Sequence, residues 1–369
     1  PMHAPYIVGR WVRGEEHYSR QDLIDELLTA QDSAYWLVGT RRIGKTSLLR
    51  QVELTALDAD AAWVPLFLDI QGCTTAADMT RELRFALEDA AERFVPLMPD
   101  LAALGEDDAL LTLRRLARSV AEQDRQLLFL IDEAEALLTV AQTDDAWVAR
   151  LRKVLLEGHQ RTILASTRTL GRLGDVANAW VTSPFLFGFR MKALHPVSRS
   201  DAEALVRQIQ SNVAVTVDPV VLDEILDYTN CHPHLIQVLC QRLFCAAGSR
   251  AGSLRPVEAP DLAIDELLAA CLRADFQQLD PEERQALLAV GRAQSASAEP
   301  LAQLLSNDNE GRLQRVLERL AEAGHVRRLG EQWLVGNEFL RRWLQEVELN
   351  EIVQSTEPLD EQARATAPD

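Results

Sequence analysis

One short segment, residues 39–46, constrains the fold of this chain more than any other. It reads Gly39-Thr40-Arg41-Arg42-Ile43-Gly44-Lys45-Thr46, with two glycines followed by lysine and threonine in the spacing of a phosphate-binding loop. The apolar stretch 35–38 before it predicts a buried strand, and the stretch that begins with Ser47 predicts a helix. Backbone N–H groups of such a loop and the helix N-terminus can surround a polyphosphate. We therefore expect residues 39–47 to bind ATP or ADP, with Lys45 at the β- and γ-phosphates and the Thr46 hydroxyl on Mg²⁺.

Length and charge narrow the class of protein. A chain of 369 residues is long enough for two or three domains. Its net charge of −18 argues against general affinity for nucleic acid, because a phosphate backbone is repelled. No apolar run approaches the roughly 18 residues of a membrane span. The five cysteines form no C-x-x-C pair, which favours reduced thiols and a cytoplasmic location.

Alternating strand and helix patterns predict an α/β fold. Apolar strands are expected at 63–69, 127–131 and 162–166, and helices at 75–94, 109–123 and 147–157. This alternation predicts a parallel sheet with helices on both faces, the P-loop NTPase fold, over residues 1–190.

The remainder of the chain is predicted to be mostly helical. Helices at 200–211, 219–228, 233–246 and 259–271, without a clear strand, predict a helical domain over 191–272. Helices at 281–290, 300–305 and 310–323, followed by short strands at 325–329 and 332–335, predict a winged-helix domain over 273–348. The acidic segment 349–369 is expected to be a flexible tail.

Two carboxylates directly follow the most apolar strand. Asp132 and Glu133 stand after the run at 127–131, and the carboxyl end of a parallel strand faces the crevice in which ligands bind. Asp132 is placed to hold Mg²⁺, and Glu133 is placed to orient or deprotonate an attacking water. An alternative is that Asp132 only caps a helix. Glu135 is a second candidate for the base.

Hydroxyl and guanidinium groups follow the next apolar strand. Ser166-Thr167-Arg168 opens at the same edge of the predicted sheet. The Thr167 hydroxyl can bind a water or a phosphate oxygen, and the Arg168 guanidinium can make a bidentate contact with the γ-phosphate. The alternative is a solvated loop arginine.

The tract Cys231-His232-Pro233-His234 has metal-binding residue types but lacks a nearby fourth ligand, so we do not expect zinc there. Pro233 suits the first position of a helix, which needs no N–H donor. Alternatively, this helix start meets the nucleotide.

Taken in order, these motifs resemble those of the STAND ATPases, the signal-transducing, AAA+-related P-loop proteins, and of their bacterial members in particular. The resemblance rests on residues 39–47, Asp132-Glu133, Ser166-Thr167-Arg168 and the turn Asn230-Cys231-His232-Pro233. It implies that the helical domain is a lid, that Pro233 touches the base or ribose, and that Arg168 senses the γ-phosphate.

The N-terminal arm extends the resemblance. Segments 5–10 and 18–20 are similar to the part of the family that embraces adenine, which implies nucleotide contacts for Val8 and Tyr18. Ser19 and Gln21 replace the usual glycine and glutamate of that segment.

The expected function is a nucleotide-driven switch with slow ATP hydrolysis. Members of the family usually carry an effector domain, and no effector motif is visible in this chain, which begins with Pro1-Met2. We therefore expect a fused effector domain or a separate protein partner. We also expect nucleotide-dependent oligomers.

The alternatives are an AAA+-like ATPase that acts on DNA through its winged helix, and a binding module with a vestigial ATPase. Residues 275–348 contain thirteen acidic and nine basic side chains, which favours a protein contact over DNA.

Overall fold

The computed structural model describes residues 2–58, 62–97, 109–173, 184–298, 300–301 and 310–346. They form two compact units, one from His3 to Val215 and one from Thr216 onward that also includes Met2. The first unit contains every predicted active-site residue except Pro233.

A parallel sheet forms the centre of the first unit, as predicted. Its strands are β1 Ala34–Val38, β2 Trp63–Asp69, β3 Gln126–Asp132, β4 Gln160–Ser166 and β5 Arg190–Ala193. They lie in the order β2-β3-β4-β1-β5, and every neighbouring pair is parallel. All five carboxyl ends therefore meet at one edge, where β4 separates the strand before the glycine-rich loop from the strand that ends in Asp132.

Helices cover both faces of the sheet because the central strands are apolar on both sides. Along β3, Leu127, Phe129 and Ile131 pack into one core, and Leu128 and Leu130 pack into the other. The second core contains α1 Gln21–Thr29 and α2 Lys45–Asp58. The first core contains α3 Ala76–Asp89, α4 Ala91–Phe94, α5 Ala109–Ala121, α6 Ala136–Thr143 and α7 Asp145–Leu155. The helix predicted at 75–94 is thus two helices, which meet at Ala90.

The fifth strand was not predicted. Strand β5 has the sequence Arg-Met-Lys-Ala and lies mostly exposed at an edge of the sheet, so it carries no apolar run. Its pairing with β1 supplies the backbone hydrogen bonds that define it. The sheet consequently extends beyond residue 190, and α8 Arg199–Arg207 follows in the same unit.

Three helices open the second unit: α9 Pro219–Thr229, α10 Pro233–Leu243 and α11 Glu266–Gln278. The single helix predicted at 259–271 is wrong. A short 3₁₀ turn, Ala259–Leu262, comes first, and α11 then begins after Asp265, whose side chain accepts from Leu268 N. An aspartate that caps a helix in this way separates it from the preceding turn.

The winged-helix pattern is present at the end of the second unit. It comprises α12 Pro281–Ala293, α13 Glu310–Glu322 and the antiparallel pair β6 Val326–Leu329 and β7 Gln332–Val335, followed by α14 Glu338–Glu346. Gly330 has a φ of +61° in the turn between the two strands.

Helix α14 was not predicted, although Leu340, Trp343 and Leu344 recur at helical spacing and pack into this core. Residues 302–305 of a predicted helix and the predicted tail 349–369 lie outside the described residues.

Candidate active site

Three strand ends converge where the sequence predicts the nucleotide site. Gly39 follows β1, Asp132 ends β3, and Thr167 follows β4. Backbone hydrogen bonds join these ends, since Gly39 N donates to Ser166 O over 3.2 Å and Ala134 N donates to Ala165 O over 3.0 Å. The three motifs therefore occupy one continuous edge of the sheet.

The local backbone geometry favours glycine at two positions of the loop. A Cβ on Gly39 would lie 2.6 Å from Ile43 Cγ2, so a side chain there would force the loop open. Gly44 has a φ of +103°, a conformation that L side chains rarely adopt. Arg42 also has a positive φ, of 59°. Arg41 is exposed, whereas Ile43 is buried and anchors the loop to the core.

Lys45 lies at the centre of the loop. Its side chain is buried, with 7% of the residue exposed. Its Nζ donates to Gly39 O over 3.0 Å and to Thr40 O over 2.8 Å. The ammonium group is thereby held inside the turn where a phosphate would be received, as the motif predicts.

Thr46 and Asp132 are in direct contact. The Thr46 hydroxyl donates to Asp132 Oδ2 over 2.5 Å, and Glu133 N donates to Oδ1 over 3.0 Å. Asp132 is only 1% exposed, and burial raises the pKa of its carboxyl despite these two hydrogen bonds.

This pair fits the predicted Mg²⁺ site. A hydroxyl and a carboxylate oxygen are hard ligands, and Mg²⁺ takes few protein ligands because it retains waters and binds phosphate oxygens. Within the described part of the chain, no group of three or more His, Cys, Asp or Glu side chains is arranged to hold a metal ion. Thr46 and Asp132 are thus the residues here that suit the ion.

Glu133 has the electrostatic character of a proton acceptor. Its φ of 53° turns the chain sharply after β3. The pKa of its carboxyl is raised to about 7, first by burial and then by the negative charges of Glu135 and Asp132, while Lys45 opposes the shift. A base with a pKa near neutrality can take up a proton under ordinary conditions.

Asp69 belongs to this acidic edge and was missed as a site residue. It ends β2 and lies in register with Asp132 on the neighbouring strand. Its negative charge contributes to the raised pKa of both Asp132 and Glu133. The available signal was an acidic residue directly after an apolar strand, the same signal that identified Asp132.

The end of β4 places Thr167 and Arg168 side by side. Thr167 is 2% exposed, and its hydroxyl is 2.7 Å from that of Thr169. Arg168 is exposed and begins a 3₁₀ turn that ends at Arg172. The predicted roles of Thr167 and Arg168 at the γ-phosphate stay predictions.

The N-terminal arm is bound to the loop and to α2. Val12 N donates to the Ser47 hydroxyl over 3.0 Å, and Gly14 N donates to Gln51 Oε1 over 2.7 Å. The Tyr18 hydroxyl accepts from Gln210 N over 3.1 Å, and Val8 is half-buried. The arm therefore contacts the helix that carries the nucleotide motif.

Arg20 belongs to the segment 18–20 that carries the resemblance, but its contact with the glycine-rich loop was not predicted. One of its terminal nitrogens donates to Ile43 O over 2.9 Å and to His195 O over 3.0 Å. Burial lowers the pKa of this guanidinium to about 10. Arg20 thus braces the glycine-rich loop, a role with no local sequence signal because its partners are far along the chain.

Pro233 is the one predicted site residue that does not belong to the first unit. It is the first residue of α10 and belongs to the second unit. Its predicted contact with the nucleotide stays a prediction.

Comparison with known proteins agrees with this site. Residues 29–172 match the AAA domain family. A Walker-type ATPase of Pyrococcus abyssi is similar in structure, with a TM-score of 0.62, 16% identity, and coverage of 92% of this chain and 99% of that one. The ORC2 protein of Aeropyrum pernix, solved in ADPNP–ADP complexes, has a TM-score of 0.53, 14% identity, and coverage of 90% and 92%. The comparison with curated proteins gave no match.

The chain therefore has the P-loop NTPase fold, and its residues 29–172 are similar to the AAA domain family. The two structural likenesses show a shared fold, and they leave STAND membership, signalling and the choice between protein and nucleic-acid partners as predictions. No described helix is both long enough and apolar enough to cross a bilayer. The cytoplasmic location also stays a prediction.

Proposed function

We propose that this protein is a STAND-like molecular switch that binds ATP, hydrolyses it slowly and signals its nucleotide state through a lid and a winged helix. The observation that carries the proposal is the contact between the Thr46 hydroxyl and Asp132, 2.5 Å long, beside the buried ammonium of Lys45. It joins the glycine-rich loop to the acidic strand end, as ATP hydrolysis requires.

The loop residues supply binding. In the absence of phosphate, Lys45 donates to two carbonyl oxygens of its own loop. A phosphate offers the ammonium a negatively charged acceptor, so we expect Lys45 to exchange these bonds for ion-paired hydrogen bonds to the phosphate. Backbone N–H groups of residues 40–47 and the N-terminus of α2 complete the cradle.

Thr46 and Asp132 would hold Mg²⁺. The bound ion would neutralise negative charge between the phosphates. Asp132→Ala should therefore weaken ATP binding in the presence of Mg²⁺ and leave the weaker binding in EDTA unchanged. Equal losses under both conditions would remove Asp132 from the metal site.

Glu133 and Arg168 would act at the γ-phosphate. Glu133, with its pKa near 7, can accept a proton from an attacking water. Thr167 can hydrogen-bond that water or a phosphate oxygen, and the Arg168 guanidinium can report the presence of the γ-phosphate. Val8 and Tyr18 of the arm would contact the adenine.

Coupling to the other domains requires a difference in affinity. ATP must bind two arrangements of the protein unequally, because equal affinity shifts no equilibrium. We propose that the lid, at 191–272, closes with the turn before Pro233 against the adenosine. The winged helix, at 273–348, would then respond.

Amide hydrogen exchange tests the switch. ATP, compared with ADP and with no nucleotide, should increase protection at residues 228–236 and in the arm at 6–18, and should change exchange at 310–330. The Lys45→Ala protein is the matched control and should show none of these changes. Protection confined to the glycine-rich loop would leave a simple ATPase without a switch.

The charge of helix α13 favours a protein partner over DNA. Arg312 is paired with Glu282, and Arg319 Nε lies 3.2 Å from Glu283 Oε1. A DNA backbone would have to compete with these carboxylates for the same guanidinium groups. The DNA-associated alternative predicts ATPase stimulation by single- or double-stranded DNA, and we expect none at physiological salt.

A further inference from the structure

Glu135 lies at the start of α6 and has no role in the proposed reaction. It stands two residues after the proposed base, and Ala136 N and Leu138 N donate to the backbone oxygens of Glu133 and Glu135 as α6 begins. Ala134, between the two glutamates, is fully buried, and its N–H is bonded to β4. The backbone of Glu135 is therefore fixed against the end of β4.

The Glu135 carboxylate reaches across to that strand end. Its Oε1 accepts from Thr167 N over 3.3 Å. Its Oε2 is buried and has no hydrogen-bond partner among the described residues. This side-chain bond therefore joins the turn after β3 to the residue that follows β4 and precedes Arg168.

Three polar atoms of Thr167 are hydrogen-bonded, and Glu135 holds one of them, the backbone N, from the turn after β3. Its carbonyl oxygen accepts from the Ser166 hydroxyl over 2.8 Å, and its own hydroxyl meets Thr169. Both of these partners belong to the segment that carries Thr167. The bond from Thr167 N to Glu135 links this segment to the turn that follows the acidic strand end.

We propose that Glu135 is a positioning residue for γ-phosphate recognition: by holding Thr167 N, it sets the direction in which Arg168 leaves the sheet. This inference rests on the proposed function, because Arg168 must first be the sensor. The two glutamates then have different roles: Glu133 acts on water, and Glu135 acts on Arg168 through Thr167.

The test measures the ratio of ATP to ADP affinity by calorimetry on the full chain, in a Glu133→Gln background that prevents turnover. Glu135→Ala should lower the ratio about tenfold, the effect of one lost charge-assisted contact. Glu135→Gln keeps a side-chain oxygen that can accept from Thr167 N, so it should preserve the ratio. ADP affinity should be the same in both variants.

A double-mutant cycle supplies the sharper readout. If Glu135 acts through Arg168, then Glu135→Ala combined with Arg168→Ala should lose no more than Arg168→Ala alone. Additive losses, or equal losses of ATP and ADP affinity, would overturn the proposal and leave Glu135 as a general structural residue.

A second variant removes the donor instead of the acceptor. Thr167 has a φ of −75°, within the range of proline, so Thr167→Pro deletes the N–H without backbone strain. Thr167→Val keeps the N–H and also lacks the hydroxyl, so it is the control, and the additional loss in Thr167→Pro relative to Thr167→Val should match the loss seen for Glu135→Ala. If Thr167→Pro behaves like Thr167→Val, the proposal is wrong even where Glu135→Ala does not fold.

Failure of the proposed function gives a different result. If Arg168→Ala itself leaves the affinity ratio unchanged, the sensor is misassigned and the role of Glu135 falls with it. If Arg168→Ala lowers the ratio and neither Glu135→Ala nor Thr167→Pro does, only the inference about Glu135 is overturned.

Discussion

Charged side chains have different kinds of partner at the edge of the parallel sheet and on helix α13. At the sheet edge, Lys45 donates to two backbone carbonyls and Asp132 accepts from the neutral hydroxyl of Thr46. On α13, Arg312 and Arg319 are paired with the carboxylates of Glu282 and Glu283. These hydrogen bonds at the sheet edge go to neutral groups, whereas the guanidinium groups on α13 form ion pairs with carboxylates.

This difference indicates which region is prepared for an ionic ligand. A phosphate that replaces the carbonyl partners of Lys45, or a metal ion that replaces the hydroxyl hydrogen on Asp132, adds attraction between opposite charges. A polyanion that approaches α13 must instead separate existing ion pairs and is repelled by a chain of net charge −18. If this interpretation is correct, the sheet edge binds and hydrolyses a nucleotide, and neighbouring carboxylates neutralise the arginines of α13.

The largest effect is expected at Glu133. Glu133→Gln preserves shape and hydrogen bonding but removes the base, so single-turnover ATP hydrolysis should fall by roughly 10²-fold or more while Mg²⁺–ATP still binds. Rapid-quench measurement at saturating protein separates the chemical step from binding. An unchanged rate would transfer the role of base to Glu135.

The next largest effect is expected at Lys45. Lys45→Ala removes the buried ammonium and should weaken ATP binding by about 1–3 kcal/mol, the range for a charge-assisted contact. Isothermal calorimetry measures the loss, and Lys153→Ala, on the exposed side of α7, is the matched lysine control. If ATP affinity is unchanged, the assignment of the phosphate loop is wrong.

Sequence reasoning found the parts of the site that lie directly after apolar strands. Asp132 and Thr167 follow runs that are buried on both faces, and the glycine-rich loop has a fixed spacing, so local patterns were sufficient. The same rule applied to β2 would have found Asp69. The apolar positions of α14 were likewise readable, since they repeat at helical spacing.

Other features depend on contacts that no local pattern encodes. Arg20 binds Ile43 O and His195 O, which lie 23 and 175 residues away in sequence. Strand β5 is polar and exposed, and it is a strand because β1 offers it an edge. Contacts with distant parts of the chain determine both the role of Arg20 and the formation of β5. The sequence around each of them resembles an ordinary surface segment.

A smaller effect is expected at Arg168. Arg168→Ala should reduce ATP affinity about tenfold with little change for ADP, because the lost contact is to the γ-phosphate. Arg172→Ala, at the end of the same 3₁₀ turn, is the control for a loss of charge without loss of the sensor. Competition binding with both nucleotides measures the ratio, and equal losses for ATP and ADP would make Arg168 a structural arginine.

The smallest effect is expected on α13, and it depends on burial. Arg319 pairs with Glu283, which is fully buried, whereas the partners of the Arg312–Glu282 pair are both exposed. Arg319→Ala removes the ion pairs with Glu283 and with Asp280, whose Oδ2 lies 3.5 Å from Arg319 Nη2, and should cost about 1 kcal/mol, since Arg319 is itself half exposed. Arg312→Ala should cost less than about 0.5 kcal/mol, the range of exposed pairs.

Amide exchange across α12 and α13 can resolve this difference in local stability, which global unfolding of a chain with two units cannot isolate. Raising the salt concentration should reduce the cost at Arg312 further, because screening acts most strongly on exposed pairs. The cost at Arg319 should change less, since its carboxylate partner is buried. If the two variants lose equal stability and respond equally to salt, burial of Glu283 does not distinguish them. If instead either variant weakens binding to DNA, these arginines contact nucleic acid and α13 is a DNA-binding helix.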